Sequence, residues 1–471
     1  MPEAAAALVD PVLERVDATL DEALGRLMAL LRIPSISTDP AHAADVDAAA
    51  DWMVADLAAL GLTAAKHPTT GHPMVVAKGG SGSGLHVLFY GHYDVQPVDP
   101  LELWHRPPFD PAIEETPAGR VIRARGASDD KGQLMTFVEA CRAWIGVHGA
   151  LPLRLTVFLE GEEESGSPSL VPFLKANADA LRADLALICD TGMFDPSTPA
   201  ITTMLRGLVG DEVTIRAASR DLHSGLYGGM AANPIRVLAR ILADLHDDTG
   251  RVTLPGFYDG VPELPEAVAA QWRTLGFETA RFLGPVGLSE PAGEAGRSPL
   301  EMIWSRPTCE VNGIAGGYAG AGFKTVLPAE ARAKVSFRLV GTQDPARVRE
   351  AFRAHVRDRL PADCTVEFAP HGASPASVMD ISHPAFEAAR QALSDEWPRP
   401  AAFIGGGGSI PVAGYFKTVL GMDSLLTGFG RDDDALHSPN EKYDLESFHK
   451  GIRSWVRILA ALAALPTDRG D

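Results

Sequence analysis

Cysteine is scarce in this sequence. Four occur in 471 residues, at Cys141, Cys189, Cys309 and Cys364, and no two form a C-x-x-C pair. A disulfide scaffold is therefore not indicated, and a reducing compartment fits. Positive charge is also short: 42 Lys and Arg against 61 Asp and Glu leave a formal net charge of -19. A field of that sign repels phosphate backbones and anionic lipid, so neither nucleic acid nor a membrane is an expected partner. The first ten residues, M-P-E-A-A-A-A-L-V-D, lack the basic region of a secretory signal. No apolar run reaches membrane-spanning length, and no internal repeat is visible. A soluble cytoplasmic protein is the expectation. What the chain does have is 46% hydrophobic residues, enough for real cores, and a length that predicts two or three domains.

One stretch stands out against that background. Residues 160–167 read E-G-E-E-E-S-G-S, directly after the apolar run Leu153, Leu155, Val157, Phe158 and Leu159. Like charges this close repel, so the cluster needs a compensating cation or a general-base role, unless it is a charged surface turn. The neighbouring segments bear on that choice. Residues 85–90 (L-H-V-L-F-Y) predict a strand covered on both faces, which runs into G-H-Y-D-V-Q-P. There His92 and Asp94 share a face, which suits a metal ligand oriented by a carboxylate, and equally a hydrogen-bonded turn. The segment R-G-A-S-D-D-K-G-Q at 125–133 leads into the helical spacing of Leu134, Phe137, Val138 and Cys141. Asp130 is placed to cap that helix. Asp129, just outside it, either belongs to the same cap or is a carboxylate shared between two cations. Residues 183–189 predict another strand, with Asp190 at its end. Strands alternating with helices predict a mostly parallel α/β sheet, whose ligands bind beyond the carboxyl ends of the strands. That rule gathers His92, Asp129, Glu163, Glu164 and Asp190 at one edge, a coincidence that separate surface turns do not predict.

The rest of the chain frames this region. Helices are expected at 12–31 and at 44–60, the second ended by Gly61, with a strand at 74–77 and a Gly/Ser turn at 79–84. After about residue 205 the pattern changes. Residues 209–217 and 331–340 alternate as half-buried strands, 308–312 and 364–369 add two more, and helices fall at 233–245 and 345–360. These predict a smaller α+β domain over 207–377, interrupting an α/β domain built from 1–206 and 378–471. Residues 221–229, D-L-H-S-G-L-Y-G-G, read as a flexible polar loop. Residues 405–408 are four glycines followed by Ser409, which permits φ > 0 and close ligand approach, or simply a mobile loop. His437 lies in the polar, turn-rich G-F-G-R-D-D-D-A-L-H-S-P-N, where a buried core histidine is not expected. An amphipathic helix at 446–463 closes the pattern.

Taken together these segments resemble the M20 family of metallopeptidases, in its carnosinase-like and cytosolic non-specific dipeptidase branch. The motifs are G-H-Y-D-V-Q-P (91–97), G-A-S-D-D-K-G (126–132), E-G-E-E-E-S-G-S (160–167), R-D-L-H-S-G (220–225) and H-S-P-N-E (437–441). They stand in the family's order and cover nearly the whole chain. The resemblance implies a two-metal site: His92 and Asp190 hold one divalent ion, Glu164 and His437 the other, and Asp129 bridges. It implies Glu163 as general base, Asp94 as support for His92, and His223 as oxyanion stabiliser, reaching the site of a partner subunit. Arg338 is implied for a substrate carboxylate, although its alternating strand also suits a solvent-facing arginine. His371 and the Gly408–Ser409 loop are weaker candidates for substrate contact. The smaller domain becomes a lid and dimerisation domain, and the assembly a homodimer.

The chemistry expected from these roles is hydrolysis of the amide bond of dipeptides or short peptides with a free C-terminal carboxylate. Imidazole with carboxylate suits zinc, with manganese or cobalt as alternatives. An N-acyl amino acid deacylase or a carboxypeptidase would use the same metal residues. A non-catalytic metal-binding relative would be marked by loss of Glu163 or of a ligand, and the sequence retains them all.

Overall fold

A computed structural model describes residues 3–80, 84–408 and 410–466. The chain divides into two compact units. The first takes Met1–Thr203, Met379–Ile404 and Tyr415–Asp471; the second takes Met204–Val378 and Gly405–Gly414. In chain order the main elements begin with helices α1 (Glu3–Ala18), α2 (Leu20–Leu31) and α3 (Ala43–Ala59), followed by strands β1 (Thr63–His67), β2 (Met74–Gly79) and β3 (His86–His92). Helix α4 (Lys131–His148) precedes β4 (Arg154–Glu160), β5 (Leu185–Ile188) and β6 (Ala200–Leu205). The second unit contributes β7 (Gly207–Arg216), α5 (Pro234–Ala243), β8 (Thr308–Gly316), β9 (Glu330–Leu339), α6 (Pro345–Arg357) and β10 (Thr365–Ser374). The chain then returns with α7 (Pro384–Ser394), β11 (Ser424–Leu426) and α8 (Leu445–Ala463).

The sheet of the first unit runs β1-β2-β4-β3-β5-β11-β6. Its centre is parallel, since β3 pairs with β4 and β5, and β5 with β11, all in parallel. The flanks β1/β2, β2/β4 and β11/β6 are antiparallel, so the sheet is mixed. The continuous apolar runs of β3, β4 and β5 follow from this position, because nearly every residue in them is buried. Helix α8 buries Leu445, Phe448, Ile452, Trp455, Leu459 and Leu462, the stripe that helical spacing dictates. It packs on α1, α4 and α7. Phe89 of β3 stacks on Phe137 of α4 with centroids 3.7 Å apart, and Trp455 of α8 meets Phe137 edge-on at 5.2 Å. Those rings lock α4 against the strand that ends in His92.

The second unit holds an antiparallel sheet, β8-β9-β7-β10. Strand β9 alternates buried Ala331, Ala333, Val335, Phe337 and Leu339 with outward residues. Helices α5 and α6 cover the buried face, and Leu238, Ile241, Phe352 and Val356 join its core.

Three local expectations change. The helix expected at 12–31 is two helices: Thr19 leaves helical geometry at φ -115°, ψ 18°, and its hydroxyl donates to the Arg15 carbonyl. The turn at 79–84 begins as the end of β2, and residues 81–83 lie outside the described residues. In the glycine run, residues 405 and 406 belong to a strand, Ala402–Gly406, and none of residues 405–408 has a positive φ. Glycine is needed at 405 because a Cβ there would come within 2.5 Å of Trp304 Cβ. Close protein packing, not left-handed backbone, explains that residue. Among the described residues, no helix is long and apolar enough to cross a membrane. Cys141, Cys189, Cys309 and Cys364 are all free and buried.

Candidate metal centre

The parallel strands deliver their polar residues to one end of the sheet. His92 is the last residue of β3, and its register partner across β4 is Glu160. The acidic turn follows β4, Asp190 lies two residues beyond β5, and Asp129 sits just before α4. His437 arrives from the loop between β11 and the short strand Lys442–Asp444. The structure thus brings His92, Asp94, Asp129, Glu163, Glu164, Asp190 and His437 together in the first unit.

Asp129 is the pivot. Its Oδ1 lies 3.2 Å from His92 Nε2 and its Oδ2 lies 3.0 Å from His437 Nε2. His437 Nε2 is also 3.3 Å from Glu164 Oε2. Two donor sets result, His92–Asp129–Asp190 and Asp129–Glu164–His437, and within each the ligand atoms all lie within 4.8 Å of one another. Donors that close fit a single divalent ion per set, with one carboxylate common to both. Asp94 fixes the approach from behind. Its carbonyl and Oδ1 lie 3.2 Å and 3.4 Å from His92 Nδ1, which leaves Nε2 facing Asp129. Its two carboxylate oxygens also accept from the backbone N–H of Glu163 and Glu164, at 3.2 Å and 3.0 Å. One buried carboxylate therefore aims both the imidazole and the acidic turn.

Burial pushes Glu163 up to about 7, against His92 and with Asp94, Glu164 and Asp129 adding to the rise. Burial also carries Asp190 well above the usual carboxylate range. For Asp129 burial acts upward, but hydrogen bonds from His437 and His92 hold it below that range. Burial would lower His92, yet Asp129 and Asp94 bring it well above an ordinary imidazole. His437 is raised to about 10 because Asp129 and Glu164 both accept from it. Excess buried negative charge of this kind is what divalent ions neutralise. A cavity of about 480 Å³ opens beside Asp129 and Asp190, lined also by Thr191, Arg431, Asp432 and Leu436.

The remaining expected residues lie in the second unit. His223 is exposed and its Nδ1 accepts from the Gly225 N–H at 3.0 Å. Arg338 is half-buried on the β9 face opposite the core, paired with Thr308 and Leu208. His371 is exposed on β10 beside an irregularity at residues 371–373. A Cβ on Gly408 would meet nothing within 4 Å, and Ser409 lies outside the described residues.

Several residues take roles that pattern reading did not assign to them. Asp130 stands at the helix N-cap position, but its side chain does not cap; Oδ2 accepts from the His92 N–H at 3.1 Å. Gly91 permits this, since a Cβ there would sit 2.9 Å from that oxygen. Gln96 donates to Glu164 Oε2 at 2.8 Å. Glu160 and Glu162, for which the sequence leaves loop support or simple solvation open, are both buried. Glu160 accepts from Tyr90 at 2.7 Å, and Glu162 from the backbone N–H of His72 and Ser169. Glu441 accepts four hydrogen bonds from the segment that carries Asp129. The motif H-S-P-N-E contained it, but only its distant partners reveal its work. A third acidic group, Asp433, Asp434 and Asp444, is already filled by the Lys442 ammonium at 2.9, 2.9 and 2.6 Å.

Comparison with known proteins places this geometry. Residues 88–461 match the model of peptidase family M20/M25/M40. The Cys-Gly metallodipeptidase of Schizosaccharomyces pombe is 30% identical over 97% of this chain and 99% of its own. An M20 family metallo-carboxypeptidase from Sulfolobus solfataricus superposes with a TM-score of 0.81 at 31% identity, covering 94% of this chain and all of the other. The crystal structure of human carnosine dipeptidase 1 gives a TM-score of 0.79 at 25% identity, covering 97% and 99%.

Proposed function

The chain belongs to peptidase family M20/M25/M40, in the branch of the carnosine and Cys-Gly dipeptidases, and from that premise we propose that it is a two-metal dipeptidase. Its substrates are dipeptides or short peptides with a free C-terminal carboxylate. The observation that carries the reading is Asp129 shared between two donor sets, with the half-buried Glu163 beside them. His92, Asp129 and Asp190 would hold one ion, and Asp129, Glu164 and His437 the other. Zinc suits the donors, and manganese or cobalt could replace it. When bound, the ions supply Lewis acidity and lower the pKa of water at the site.

The protein's own groups do the rest. Glu163 takes the proton from the attacking water as its oxygen bonds to the scissile carbon. It then passes that proton to the amine nitrogen as the C–N bond breaks. Asp94 keeps His92 and the acidic turn in register throughout. The Gly225 N–H occupies His223 Nδ1, so the ring proton sits on Nε2, where it can donate to a developing oxyanion. His223 serves the partner subunit's site in a homodimer. Leu226, Met230, Ile314 and Phe323 of the second unit, exposed by 77%, 95%, 66% and 91%, support such an interface. Arg338 receives the C-terminal carboxylate with its guanidinium fork, and His371, Gly408 and Ser409 contact the substrate nearby. In this reading the first unit is the catalytic domain and the second the lid and dimerisation domain. The net charge and the buried thiols fit a cytoplasmic enzyme.

A substrate panel tests the proposal. Dipeptides, their C-terminal amides, tripeptides and N-acyl amino acids are offered to the zinc-loaded protein. Free dipeptides are expected to lead, with amidation costing roughly 10–100-fold in kcat/KM, the worth of one charged hydrogen-bonded contact. Arg338→Met is expected to erase that difference. A preference for the amides sinks the role of Arg338. Faster removal of the last residue from tripeptides would favour the carboxypeptidase reading, which the likeness to the Sulfolobus enzyme supports.

A further inference from the structure

We infer that Glu441 is the positioning residue that sets the distance between Asp129 and His437, and so controls occupancy of the Asp129–Glu164–His437 set. The inference rests on the two-ion reading above. Glu441 is fully buried. Its Oε1 accepts from the N–H groups of Ser128 and Asp129 at 2.9 and 3.0 Å. Its Oε2 accepts from the Gly126 N–H and from Arg125 Nη1, both at 2.8 Å. The Glu441 carbonyl accepts from the Ala124 N–H at 3.2 Å. Arg125 then reaches back: Nη2 donates to the Ser438 carbonyl at 3.3 Å and to the Pro97 carbonyl at 3.0 Å. A closed ring of hydrogen bonds thus ties the loop of His437 to the loop of Asp129.

The loop is also held at Asn440, which bonds Leu103, His105 and Arg123, whereas His437 itself reaches out to Asp129 and Glu164. Its side chain is 56% exposed, and its backbone stands at φ +56°, a left-handed conformation that a non-glycine residue keeps only when its surroundings impose it. The other donor set is anchored differently. His92 is 1% exposed at the end of a buried strand with Asp94 behind it, and Asp190 follows β5. Loosening Glu441 therefore acts mainly on the His437 side of the bridge.

The chemistry also requires a carboxylate here. Each oxygen faces two N–H donors, so a Gln in either orientation would turn its NH₂ against donors and leave them unmatched. Loss of an outer partner of a ligand typically costs about 10–100-fold in metal affinity.

The experiment counts ions. Wild type, Glu441→Gln and Glu294→Gln are stripped with chelator, their melting measured, then titrated with Zn²⁺ by calorimetry and metal content read by emission spectroscopy. Glu294 is a buried carboxylate of the second unit, held by Arg306 and Arg251, and controls for loss of a buried charge. Wild type and Glu294→Gln are expected to bind two ions. Glu441→Gln is expected to keep one tight ion and to bind the second about 10–100-fold more weakly. Glu441→Asp, which keeps the charge but withdraws it by one methylene, is expected to fall between, and decides the matter if Glu441→Gln does not fold. Two ions bound with unaltered affinity in the Glu441 variants, or equal weakening of both ions, overturns the inference. Fewer than two ions on the wild type removes the two-ion reading itself, and the inference with it.

Discussion

The residues that pattern reading named for the site are held by opposite means in the two units. In the first, His92 and Asp94 are buried and Glu164 nearly so, and each meets named partners within hydrogen-bonding range. In the second, His223 and His371 are exposed and Arg338 is half-buried on the open face of its sheet. Burying charge fixes geometry, because a buried carboxylate must find a partner, but it does so at the expense of shifted protonation. Exposed groups keep ordinary solvation and the freedom to meet a substrate. Under the proposed function this contrast is a division of labour, chemistry on the buried acidic residues of the first unit and substrate recognition by the residues of the second.

The contrast can be broken at its rigid end first. Glu163→Gln keeps the shape and removes the base, so kcat is expected to fall by about 10²–10⁴-fold with metal content unchanged. Unchanged turnover would dismiss Glu163 as base. At the adaptable end, His223→Ala is expected to cost on the order of 10²-fold in kcat. Mixing that variant with Glu163→Gln sharpens the point. If His223 serves the partner's site, mixed dimers carry one intact site, and activity rises above that of either protein alone. No recovery after subunit exchange means that His223 acts within its own chain.

The smallest effect concerns stability. In the metal-free protein, burial holds Glu163 at about 7 and carries Asp190 well above its usual range, so both lie above an unfolded carboxyl. Between about pH 5 and 7 the folded state then holds protons that the unfolded state has released, so stability falls as pH rises. Each such group contributes about 1.4 kcal/mol per pH unit within its window. Lys131, lowered by burial to about 7, acts in the opposite sense only above that pH. The melting temperature of the stripped protein is expected to drop from pH 5 to 7, and zinc to flatten or reverse the trend. A rising profile without metal would mean that the acidic floor is solvated.

Much of this molecule could be read along the chain, for reasons that differ by element. Buried parallel strands declare themselves by nearly continuous apolar runs, as at 85–90 and 153–159, and β9 by its alternation. Strand β1, T-A-A-K-H, has no such signal, since it is an edge strand with no residue fully buried. The polar residues of the site stood in short motifs beside those strands, so their residue types and rough gathering were legible. The work of Asp130 and Glu441 was not. An aspartate before a helix looks like a cap whether or not its side chain turns away to His92. Glu441 meets Ser128 across 313 residues, a distance over which sequence carries no trace of a hydrogen bond.

Sequence by itself determined the buried central strands, the polar residues at their ends and the family, because these depend on local periodicity and short motifs. Only the tertiary structure decided that Asp129 turns one oxygen to each histidine, that Asp94 aims both His92 and the acidic turn, and that Glu160 and Glu162 are buried struts and not solvated charge. Those outcomes depend on which side chains meet across the sheet ends, and burial makes each meeting obligatory by penalising any polar group left without a partner.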